Sequence, residues 1–283
     1  MDRISIEQIK EKYNLTYHVK YAMEAEKMVG LRGKKVLEIG GSLPRDFVLD
    51  ELGAERWIAI EELGYHREVA PNSPHNEILR ANATLSVDDV TDIDAVGNYA
   101  IISGRAERLT PAFYSKFDVI FSIAAFEHID RLPAALLRMY QALKPGGKLF
   151  TMFSPVWSAH DGHHLHGVID KNGKIFTFEN SPIPPWGHLI MRPPQMYQHL
   201  LNHTDEETAS EIIYHVYNST AINRLFTEDY VEYFKKSPFN IDSVIFTFKC
   251  KATTAILEHL QTLHPRNQNF ENNGLLAVLS KKL

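Results

Sequence analysis

Three short apolar runs constrain this chain most: Val36–Gly41 (Val-Leu-Glu-Ile-Gly-Gly), Trp57–Glu61 (Trp-Ile-Ala-Ile-Glu) and Phe117–Ser122 (Phe-Asp-Val-Ile-Phe-Ser). Each is the length of one buried parallel strand, and each closes on glycine, an acid or a small polar residue. Ligands of open α/β sheets bind at the carboxyl ends of the strands. The chain therefore lays its polar residues along one sheet edge. A fourth segment, Leu143-Lys144-Pro145-Gly146-Gly147, stops a helical pattern and leads into another strand.

Around these runs the spacing predicts a helix over 4–29, strands at Lys35–Ile39 and Arg56–Ile60, and a helix near 44–53 with Pro44 in its first turn. A looped excursion with a helix near 74–82 follows, then strands at Tyr99–Ser103, Asp118–Ile123 and Lys148–Phe153. Regularity fails from Ser154 to about Ala221, where Pro155, Pro182, Pro184, Pro185, Pro193 and Pro194 crowd around helical pieces near 194–202 and 205–218. Order resumes with a helix after Thr227, a strand Ile241–Lys249, a helix near 253–263 and a strand Leu275–Ser280. Four parts follow: a helical cap at 1–30, a core at 31–153, a His/Pro-rich insertion at 154–222, and a completion of the core at 223–283.

Bulk properties exclude more than they identify. At 283 residues with 44% hydrophobic content, the chain can bury a full α/β core. A net charge of −5, with basic runs no longer than pairs such as Lys34-Lys35 and Lys281-Lys282, leaves no electrostatic footprint for nucleic acid. Cys250 is the only cysteine, which fits a reducing compartment. The polar N-terminus lacks the apolar core of a signal peptide, and no apolar stretch approaches the ~18 residues of a membrane helix. Cytoplasmic localisation is expected, with no membrane partner.

The sheet-edge residues resemble those of the class I S-adenosylmethionine (SAM)-dependent methyltransferases of the small-molecule type, over about 30–153 and through the final strands. The resemblance implies a Rossmann-like α/β fold: seven strands, mostly parallel with the last antiparallel, helices on both faces, and a lid insertion after strand five. SAM would be the cofactor and S-adenosylhomocysteine the product. The resemblance also assigns roles. Glu38 lies near the cationic methionine end, and Gly40 with Gly41 allows close approach of the backbone. Glu61 holds the ribose diol, with Glu62 one residue away as competitor. The Ala106 backbone serves adenine, Ser122 and Ile123 line the cofactor, and His128, after Glu127, faces the mouth. Two positions depart from the family. The turn reads Gly40-Gly41-Ser42-Leu43-Pro44 where Gly-x-Gly-x-Gly is usual, and Arg105 replaces an adenine-contacting aspartate.

Histidine is the compositional oddity: eight of the 14 lie between His160 and His215. The run His160-Asp161-Gly162-His163-His164-Leu165-His166 follows strand five directly, where family loops form the acceptor pocket. One reading makes His128, His163 or His164 the general base for a hydroxyl acceptor, since imidazole titrates in the useful range. A second makes His160, Asp161, His164 and His188 ligands of a divalent metal, although the run lacks a helical His-Glu-x-x-His pattern and no metal is favoured. A third has the histidines satisfying turns in a loop-rich lid. Trp157, His160, Trp186 and His188 are the candidate acceptor contacts, within an apolar lid that excludes water. The expected function is methyl transfer to a small-molecule hydroxyl. N-methylation of a small amine, or a SAM-binding partner protein without turnover, are the alternatives. The 206–217 helix reads as packing or as a homodimer contact.

Overall fold

The computed structural model describes residues 6–64 and 82–283. The expected helix near 74–82 lies almost wholly outside them. Eight strands form one sheet: β1 (Lys35–Ile39), β2 (Arg56–Glu61), β3 (Leu85–Ser86), β4 (Tyr99–Ser103), β5 (Phe117–Ile123), β6 (Leu143–Phe153), β9 (Asn240–Lys249) and β10 (Asn272–Ser280). Their order is β3-β4-β2-β1-β5-β6-β10-β9. The expected fold is therefore present with one addition, because the two-residue β3 pairs parallel with β4 at the edge and makes eight strands of seven. The last strand, β10, runs antiparallel to both β6 and β9.

The order reverses at β1, which pairs parallel with β2 on one side and with β5 on the other. Chain leaving β1 turns away from chain leaving β5, and the divergence opens a crevice at the carboxyl end of β1. Alternation along the strands sorts the core into two layers. Val36, Trp57, Val119 and Phe121 pack under helix α2 (Tyr17–Val29) and the wide π turn α3 (Phe47–Glu51). Leu37, Ile39, Ile58 and Ile60 face helices α4 (Leu132–Ala142) and α8 (Thr227–Lys236).

Several expected boundaries move for local reasons. The helix expected over 4–29 is two helices, α1 (Ile6–Tyr13) and α2, broken at Asn14, which takes a left-handed φ of 51° that asparagine tolerates. The helix expected over 44–53 is present over 45–51, with Phe47–Glu51 wound as a π turn. Strand β6 starts at Leu143, five residues earlier than Lys148, because Leu143 already pairs with Phe117 and the Gly146 amide bonds the Lys281 carbonyl, with a break in register between the two.

Between β6 and α8 the chain builds a third apolar cluster. A hairpin, β7 (His166–Ile169) and β8 (Ile175–Thr177), joins the helices α5 (Gly187–Ile190), α6 (Pro193–Leu200) and α7 (Glu206–Tyr217). Leu165, Phe176, Trp186, Met196 and Ile212 pack together, and Leu260 of α9 (Thr254–Leu263) and Phe270 complete the cluster from the far end of the chain. No described helix is long and apolar enough to cross a membrane.

Candidate active site

A cavity of about 1590 Å³ runs along the carboxyl ends of β1, β2, β4, β5 and β6 and under the lid. Glu38, Gly40, Gly41, Glu61, Ala106 and Ile123 line its sheet edge. Glu38 is 3% exposed and accepts hydrogen bonds from the Trp57 indole (2.6 Å) and the Leu43 amide (3.2 Å). Burial pushes its carboxyl up to about 7 against those two bonds, and the charge of Glu61 adds to the rise. Gly41 makes the arrangement possible, since a Cβ there would stand 2.2 Å from a Glu38 oxygen. Gly40 has φ +70°, and its Cβ would stand 2.2 Å from the Ala125 Cβ. The close approach at Gly40 is thus between the β1 turn and the loop after β5.

One strand over, Glu61 is 5% exposed and its carboxylate accepts from the Glu62 amide at 3.0 Å. Glu62 is engaged elsewhere: the Arg105 guanidinium donates to it at 2.7 Å. Arg105, standing where the family aspartate was expected, thus ties the end of β4 to the end of β2 instead of addressing the cavity with a carboxylate. Ser122 is fully buried and donates to the Ile39 carbonyl at 2.9 Å, so it braces β1 against β5 behind the wall. Glu61, Glu62, Glu107, Asp130 and Glu179 against Arg45 and Arg105 make the lining acidic, which suits a cationic ligand.

At the other end of the cavity stand Glu127, His128, Asp161, His164, His166 and Phe178. His128 Nδ1 lies 2.6 Å from the Ala221 carbonyl. A carbonyl can only accept, so Nδ1 carries the proton and Nε2 the lone pair. The His164 ring meets it edge-on, with centroids 4.7 Å apart. Burial holds His164 well below the ordinary imidazole range, and repulsion from His128, His166 and His163 lowers it further. Glu127 is 1% exposed and neither carboxylate oxygen has a well-formed hydrogen bond. Burial pushes it up to about 8, against the Glu127 and Ser154 amides that favour its charged form. One ligand atom from each of Glu127, His128 and His164 lies within 4.8 Å of the other two. The N-terminal helices contribute Tyr13, Tyr17 and Tyr21 to the cavity lining.

The remaining expected residues are inside the lid and off the cavity wall. His163 is 3% exposed and its Nδ1 accepts from the Leu165 amide at 3.2 Å. His188 Nε2 bonds the Trp157 carbonyl at 2.8 Å. Trp186 donates its indole N–H to the Phe270 carbonyl, and the His160 ring packs against it beside Asp161. Trp157 is 7% exposed, with the Arg224 guanidinium over its ring. Asn223 is the residue that local spacing could not reveal. Its side-chain amide donates to the carbonyls of Phe126 (2.7 Å) and Ile129 (3.1 Å), and its backbone amide donates to that of Glu127. The partner is about 95 residues away in sequence, whereas Glu127 was visible as the neighbour of His128.

The family described as "Methyltransferase domain" matches residues 62–151. The ubiquinone/menaquinone biosynthesis C-methyltransferase UbiE of Shewanella sp. (strain ANA-3) is 26% identical over 185 residues, 62% of this chain and 68% of that protein. The UbiE protein of Photorhabdus laumondii is 30% identical over 152 residues, 52% of this chain and 55% of its own. A crystal structure of a SAM-dependent methyltransferase from Mesorhizobium loti superposes with a TM-score of 0.49 at 13% identity, covering 95% of this chain and 100% of that one.

Proposed function

We propose, for a chain that is a class I SAM-dependent methyltransferase, that the methyl group goes to a hydroxyl oxygen of a small molecule held under the lid. SAM is a strong methyl donor, so the protein mainly aligns an in-line displacement and readies the acceptor's lone pair. Glu38 and Glu61 hold the cofactor from the sheet edge, with Gly40, Gly41, Ala106 and Ile123 shaping its bed and Ser122 bracing it. The acceptor enters from the lid end. Trp157, His160, Trp186, His188 and His163 support this reading as lid interior, holding the wall that His164 presents.

A single observation carries the reading: the Ala221 carbonyl fixes His128 as the Nδ1–H tautomer at the end of the cavity opposite the cofactor edge. A neutral imidazole so oriented offers Nε2 as the proton acceptor for a hydroxyl. The oxygen attacks the methyl carbon, the C–S bond breaks with its electron pair left on sulfur, and S-adenosylhomocysteine departs.

A second reading comes from the UbiE relatives, whose name specifies carbon as the acceptor. Removing a proton from a phenolic hydroxyl also activates the ring carbon beside it, so the same imidazole serves both outcomes. Turnover with ¹³C-methyl SAM and a panel of hydroxylated acceptors separates them, since the product spectrum tells O-methyl from C-methyl or N-methyl. His128→Ala is expected to lower kcat at least a hundredfold while SAM affinity is unchanged. Full turnover in that variant would remove histidine base catalysis from the account.

A further inference from the structure

We propose that Glu127, His128 and His164 form a binding site for a divalent cation at the acceptor end of the cavity. Their ligand atoms lie within 4.8 Å of one another, against donor separations of about 3.4 Å around a tetrahedral zinc. A bound ion would draw them together by up to about 1.4 Å. Two imidazoles and one carboxylate, with the cavity on the remaining side, are the donor set of three-ligand sites that keep an open position. Nitrogen donors select zinc, iron(II), cobalt(II) or manganese(II) over magnesium or calcium.

Three independent features point the same way. Glu127 is 1% exposed, lines the cavity, and has no well-formed hydrogen bond on either oxygen. A buried carboxylate left in that condition is costly, and a cation supplies the missing partner. His164 Nδ1 is buried and also lacks a hydrogen bond, while its backbone is held at φ 51°. A non-glycine residue in that region costs about 1 kcal/mol or more and persists where the surroundings need the side chain aimed. The third feature is the His128 Nδ1 bond to the Ala221 carbonyl, the outer-shell tie that orients metal-binding imidazoles and leaves Nε2 as donor.

This inference rests on the reading that an acceptor hydroxyl reaches this end. With an ion in place, that hydroxyl completes the shell, its proton passes to solvent, and the oxygen attacks the methyl carbon as above. The ion then lowers the hydroxyl's pKa in place of a bare imidazole.

The test is to strip the full chain with chelator and titrate it with cobalt(II), following the visible d–d bands and the bound metal per chain. One equivalent is expected, with affinity at least tenfold weaker in Glu127→Gln and in His164→Ala. SAM binding to each variant reports that it is folded, and Glu127→Asp, which keeps the charge, stands in if Glu127→Gln is not. Cobalt binding no tighter in the parent than in the variants would overturn the proposal. If the stripped protein still methylates hydroxyls at full rate, the cation site fails and the hydroxyl reading stands. If cobalt binds but no hydroxyl acceptor is ever methylated, the hydroxyl reading fails and the cation site stands.

Discussion

Burial of carboxylates decides what single residues can do at the sheet edge. Glu38 has a folded-state pKa of about 7, raised from the ordinary 4.5 chiefly by burial. The neutral form is thus favoured in the fold: the stability it contributes is fully present below pH 4.5 and is lost as pH rises through 7. The rise corresponds to about 3 kcal/mol. SAM, being cationic, prefers the ionised form, so its binding releases a proton. Calorimetry is expected to show SAM affinity increasing from pH 6 to 8, with Glu38→Gln abolishing the slope; an unchanged slope in that variant would locate the titrating group elsewhere. Glu61→Ala should weaken SAM by at least tenfold, because charge-assisted bonds to hydroxyls are worth about 1.5–3 kcal/mol. An unchanged dissociation constant would refute the ribose role. Gly40→Ala places a Cβ 2.2 Å from Ala125 at φ +70°, and is expected to cost more than about 2 kcal/mol in chemical denaturation.

Among elements, the turn at Phe126–His128 is controlled by a segment far along the chain. Asn223 accepts from the Tyr230 hydroxyl and ties off the carbonyls of Phe126 and Ile129, while Ala221 next to it orients His128. Asn223→Ala is expected to lower kcat at least tenfold with SAM affinity intact, and to cost about 1–3 kcal/mol of stability through orphaned carbonyls. Loss of SAM binding alongside kcat would make Asn223 a general fold residue instead of a positioning one. This turn also marks where the sequence stops being readable. Strands β1, β2 and β4 were legible because their signal is local: an apolar run, then a polar end. The acceptor end depends on contacts across tens of residues, such as His128 to Ala221, so no spacing announces them. Histidine density drew attention to 160–166, yet packing turned His163 inward and His164 outward although they are adjacent. A left-handed φ at His164 is what separates the two, and it leaves no trace in composition. Arg105, a departure from the family pattern in sequence, finds its partner in Glu62, the neighbour of Glu61, a pairing across 43 residues that local spacing does not announce.

At the scale of the molecule, the lid cluster and the sheet edge meet over one cavity, and they respond oppositely to acid. The lid interior keeps His188 and His163 neutral: burial, helped by repulsion from neighbouring histidines, takes them down to about 4 and about 3. A depressed imidazole contributes stability that is present above the ordinary pH 6.5 and is lost as pH falls through the folded value. For His188 alone that is about 3 kcal/mol. Glu38 on the sheet edge changes in the reverse sense over pH 7 to 4.5. Between pH 6.5 and 4 the lid therefore weakens while the β1 edge gains, and the lid is expected to open before the sheet melts. The three tryptophans divide conveniently, with Trp157 and Trp186 in the lid cluster and Trp57 under the sheet. Their emission should shift to the red at a higher pH than the loss of far-ultraviolet dichroism. His188→Gln places an amide N–H where Nε2 meets the Trp157 carbonyl and cannot titrate, so it should move the fluorescence transition toward acid without moving the dichroism. One coincident transition in both proteins would mean that lid and sheet unfold as a single unit, and that the protons taken up in acid belong to the whole fold.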